Sequence, residues 1–95
     1  MSQTLGALIA DAQEAYATAA VTYQSATIDQ KVATKPDLDK AASLLQSLLA
    51  KQLDSAIEID DADMAEMANL RQQVNDAAAL QQGLQALVSI LLKFV

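Results

Sequence analysis

Cysteine, histidine and tryptophan are absent from this chain, and glycine, proline and aromatic residues are scarce. Without cysteine nothing depends on redox state, and the compartment cannot be read from disulfides. Losing histidine as well removes the commonest general base and the strongest common nucleophile. Two glycines, Gly6 and Gly83, cannot build a phosphate-cradling loop. The serines have no base partner legible in the sequence, so no catalytic residue and no cofactor are assigned and an enzyme is not expected. Positive charge is also short: six Lys and Arg stand against twelve Asp and Glu, a net charge of −6. That balance argues against nucleic acid and against an anionic membrane as electrostatic partners.

Long apolar runs are missing too. The run at residues 5–10 stops at Asp11, too short for the core of a signal peptide. Residues 77–92 are uncharged, but Gln81, Gln82, Gly83 and Gln85 leave them short of the ~20 apolar residues a spanning helix needs. The expectation is a chain that is cytoplasmic or exported by a route independent of a signal peptide.

What remains is an apolar fraction of 53%, almost all Ala, Leu, Ile and Val, in 95 residues. Such a chain makes a single domain over residues 1–95, burying roughly two-thirds of the surface it exposes unfolded. Rich in helix formers and poor in breakers, it reads as all-α. Three helices are expected, at about residues 3–33, 35–54 and 61–94, in a bundle or an extended hairpin-like arrangement.

In the first, Leu5, Ile9, Ala12, Tyr16, Ala19, Tyr23 and Ala26 alternate four and three apart and form one seam, which Ile28 and Val32 continue. No residue from Ala15 to Ile28 is charged, and the small side chains there suit a close helix contact. Thr34-Lys35-Pro36-Asp37 reads as a helix start, with Thr34 as cap, Pro36 in the first turn and Asp37 at the positive end of the dipole. The second helix then carries Leu38, Ala41, Ala42, Leu45, Leu48, Leu49 and Leu53. A second break falls at residues 54–61, where Asp60 is a candidate N-cap with Ile59 and Met64 placed as a hydrophobic staple. The third helix has its seam at Met67, Leu70, Val74, Ala77, Gln81, Leu84, Val88, Leu91 and Val95.

Acidity is concentrated in Asp54, Glu58, Asp60, Asp61, Asp63 and Glu66. Oxygen ligands in such number suit Ca²⁺, but the glycine and the alternating spacing of an EF-hand loop are missing. Capping and dipole stabilisation account for most of these residues, so no metal site is assigned. Tyr16 and Tyr23, seven apart, read chiefly as the largest members of a core and secondarily as anchors for a partner.

The strongest functional signal is residues 84–95, nine of whose twelve residues are apolar. A helix apolar on nearly all sides must be buried on nearly all sides. Leu84, Leu87, Val88, Leu91 and Val95 form one side, and Ile90 and Phe94 another. One side is expected to pack within the protomer and the other, carrying Ile90, to meet a neighbouring chain. Candidate interface residues are therefore Tyr16, Tyr23, Leu84, Leu87, Val88, Ile90, Leu91, Phe94 and Val95.

The Pro36-Asp37 turn, the run from Met67 through Leu70 and Val74 to Asn75, and the ending Leu91-Leu92-Lys93-Phe94-Val95 together resemble the needle subunits of type III secretion systems. Those are short, cysteine-free helical hairpins with a Pro-containing turn, whose aliphatic C-terminal helix packs into a helical filament. The resemblance covers the turn and about the last thirty residues. It implies a filament subunit, although that family's turn usually holds two prolines and a simple hairpin has no third helix. The functional expectation is a non-enzymatic protein that self-associates through helix packing into a homo-oligomer. The alternatives are a small adaptor or chaperone that buries a partner's amphipathic helix, and a peripheral membrane protein anchored by residues 84–95. Membrane contact is the least favoured, because that segment holds a single lysine.

Overall fold

A computed structural model describes residues 3–52 and 57–95. The chain is all-α, as its composition requires, but the described residues make four helices rather than three: α1 (Leu5–Ser25), α2 (Ile28–Gln52), α3 (Asp61–Gln73) and α4 (Leu80–Leu92). Two strands of two residues each, β1 (Gln3–Thr4) and β2 (Glu58–Ile59), pair antiparallel in the register Gln3 to Ile59 and Thr4 to Glu58.

The expected boundary at Lys35 is wrong. Helix α1 ends at Ser25, Ala26 turns extended, and Pro36 lies well inside α2. The chain breaks earlier because Thr27 and Gln30 form a reciprocal capping box. The Gln30 amide donates to Thr27 Oγ1 at 3.2 Å, and the Thr27 amide donates to Gln30 Oε1 at 3.1 Å. Two otherwise orphaned N–H groups are satisfied there, and Asp29 adds favourable charge in the first turn. Pro36 still removes one helical bond, to the carbonyl of Val32, on a side of α2 that water reaches. Ile28 and Val32, expected to continue the seam of α1, instead start a new helix and stand 80% and 72% exposed.

The single helix expected at 61–94 is also broken. Val74 closes α3, Asn75 and Asp76 turn, and a 3-10 turn at Ala77–Ala79 leads into α4. The Asp76 carboxylate accepts from the Ala78 amide at 3.0 Å, an Asx-type cap that outcompetes helix continuation. Asp60 does cap α3, accepting from the Asp63 amide at 2.8 Å. Ala77 and Gln81, two members of the expected seam, are exposed as a result.

Helices α1 and α2 form one hairpin, α3 and α4 a second. Helix α3 packs chiefly on α1 and α4 chiefly on α2, so the hairpins lie side by side with α2 and α3 at opposite corners. The strand pair brings the starts of α1 and α3 to one end, and residues 29–34 of α2 face residues 77–81 at the start of α4. Thus α1 runs parallel to α3, and α2 to α4, in a body of 42 × 23 × 17 Å. The core joins Leu5, Leu8, Ile9, Leu48 and Ile59 at one end to the aliphatic side of α4, and thins toward Ala15 and Ala19. The α1 seam is shifted from its expected line: Leu8, Ala15 and Thr22 are buried, while Tyr16 and Tyr23 flank the core half-buried. In α2, Leu38, Ala41, Leu44, Leu45 and Leu48 are buried, but Leu49 is exposed. Leu53 lies outside the described residues.

Candidate functional site

The breadth of apolar surface on α4 singles it out. Leu84, Leu87 and Leu91 are fully buried, Ile90 nearly so, and Val88 is buried as well. Gly83 sits against Val74 and Gln73 of α3, and Ile90, seven residues on, shares that side of the helix. Ile90 therefore faces α3, whereas Gln81 and Val88, seven apart, lie on the side that meets α2. Both sides that were expected to divide between protomer and neighbour are covered within one chain. The reason is the unexpected break at Asn75-Asp76, which folds α3 back as an extra helix over the Ile90 side. Phe94 is half-buried against the core, and Val95, like Leu92, is about half exposed.

Tyr16 and Tyr23 also pack against the core rather than standing free. They occupy the α1–α2 seam, where the Lys31 ammonium lies 5.9 Å from the centre of the Tyr23 ring, within cation–π range. The nine candidate residues thus fall into two groups: the two tyrosines in the first hairpin, and six aliphatics with Phe94 in the second.

Among the described residues, electrostatics ties the hairpins together at Arg71, a link that sequence reasoning missed. Arg71, near the end of α3, reaches two carboxylates of α1: it pairs with Glu14 and lies 3.6 Å from Asp11. The signal was present as two acids three apart on α1 and a lone arginine within an otherwise acidic segment. A second bridge stays within the second hairpin, where Lys93 Nζ donates to Asp63 Oδ1 at 3.2 Å. That hydrogen bond, and then the carboxylate's charge, raises the Lys93 pKa above its ordinary value, as Asp39 does for Lys35 on α2. A raised lysine pKa favours the fold through neutral pH, and the benefit disappears as pH climbs through the lysine range. Both ammonium groups are solvent-exposed, so screening leaves the effect small.

The acidic segment is spent locally. Asp60 caps, Asp63 pairs with Lys93, and Glu58 sits in the strand pair. Asp54 lies outside the described residues. Among the described residues no three acidic side chains gather as a cation site.

Two concave features stand out among the described residues. An open groove of about 620 Å³ runs between α1 and α3, lined by Glu14, Ala17, Thr18, Ala68, Arg71 and Gln72. A smaller cleft of about 210 Å³ lies between the start of α2 and residues 77–81. In the groove Arg71 already holds two carboxylates, and the remaining lining is alanine with Thr18 and Gln72. In the cleft the buried Thr34 hydroxyl is spent on the Gln30 carbonyl at 2.7 Å. Neither presents a converging set of reactive groups. No described helix is long and apolar enough to cross a membrane. Comparison with protein-family models, curated proteins and solved structures gives no match.

Proposed function

We propose that this chain is a non-enzymatic structural or interaction protein that self-associates through helix packing into a homo-oligomer, and in its extended form into a filament of the secretion type. The observation that supports the reading is the hairpin-on-hairpin construction. Each helix of the second hairpin has its main partner in the first, so the aliphatic side of α4 is a surface made to be covered by other helices. Surfaces of this kind recognise helices, and a second copy presents the same matching faces as the chain itself.

The adaptor reading uses the same surface with a foreign helix. The membrane-anchor reading has less support, because Leu84, Leu87, Val88, Ile90 and Leu91 face the core and leave only Leu92 and Val95 outside. Molar mass in solution, measured across a wide concentration range, tests the proposal. Mass that grows from monomer to a defined oligomer, or to an open-ended series, is expected. A constant monomer mass overturns self-association and leaves the adaptor.

A further inference from the structure

We draw no further inference here: the strongest candidate, the open groove between α1 and α3 lined by Glu14, Arg71 and Gln72, carries nothing because Arg71 is already spent on Asp11 and Glu14 and nothing in the structure shows what covers the groove.

Discussion

Helices of 21 and 25 residues form the first hairpin, whereas 13 residues each suffice for the second. Their buried faces differ as well. Along α1 the core line passes from Leu5, Leu8 and Ile9 to Ala12, Ala15, Ala19 and Thr22, so the fully buried side chains of its later half are small, with Tyr16 and Tyr23 half-buried beside them. On α4 nearly every buried residue is Leu, Ile or Val, and α3 contributes Met67 and Leu70. The first hairpin is thus defined locally, by a capped turn. The second is defined by what covers it. Substitutions should divide accordingly: those on α4 act on the whole fold, and those at the α1–α2 turn act on a few local bonds.

The largest effect tests that division on α4. Leu87 and Ile90 are both buried, on adjacent sides of the helix. Placing a carboxylate at either site leaves a charge without a partner, the kind of change that costs upwards of about 4 kcal/mol. Total stability of a small domain is only about 5–15 kcal/mol. Leu87→Asp and Ile90→Asp should therefore both lose most of their helical circular dichroism signal. The sequence alone separates them, expecting Ile90→Asp to stay helical at a lower mass. If that variant does so, Ile90 faces a neighbouring chain and the covering of α4 by α3 is incorrect.

A smaller effect of opposite sign tests the first hairpin. Proline in a helix interior is about 3 kcal/mol less favourable than alanine. Pro36→Ala restores an amide to the Val32 carbonyl on an exposed side of α2 and should stabilise by about 1–3 kcal/mol. That is a rise of roughly 4–8 °C in Tm for each kcal/mol in a domain of this size. Thr27→Ala removes half of the capping box and should cost about 1 kcal/mol. If Pro36→Ala instead destabilises while Thr27→Ala is silent, the turn belongs at Pro36 after all.

Helix class and much of the core were legible in the sequence, since composition and spacing alone place Leu5, Ile9, Ala12, Ala19, Leu38, Leu45, Leu48, Met67, Leu70 and Leu84 inside. The turns were less so, because signals of unequal visibility compete. Proline is conspicuous, but α2 tolerates Pro36 because only one bond is lost and water reaches that side. Thr27-Ile28-Asp29-Gln30 is less conspicuous and satisfies two amides at once. Likewise the apolar spacing from Met67 to Val95 runs through Asn75-Asp76 as if unbroken, because Val74 and Ala77 sit in phase on either side. Of the candidate interface, the aliphatic breadth of α4 was legible. What covers it was not, since that depended on the missed turn. Arg71 escaped because an ion pair between distant segments leaves no local spacing to read.

The two glycines give the finest contrast between the hairpins, and substituting alanine at each should shift stability in opposite directions. A Cβ built on Gly83 would lie 2.7 Å from Cγ1 of Val74, a fully buried side chain. Valine is stiff at χ1, so it cannot swing aside and α4 must move away from α3. Overpacking of this kind costs about 1–3 kcal/mol. Better helix propensity returns about 1 kcal/mol, leaving Gly83→Ala destabilised by roughly 1 kcal/mol. A Cβ on Gly6 meets Gln52 Nε2 at 2.8 Å, but that atom is the far end of an exposed, flexible side chain that can turn toward water. The propensity gain then survives in part, and Gly6→Ala should stabilise by about 0.5 kcal/mol. Urea midpoints measured at unchanged slope resolve the two signs. Should both variants gain stability equally, α4 is not seated closely on Val74, and the tight junction within the second hairpin is lost as an explanation for its glycine.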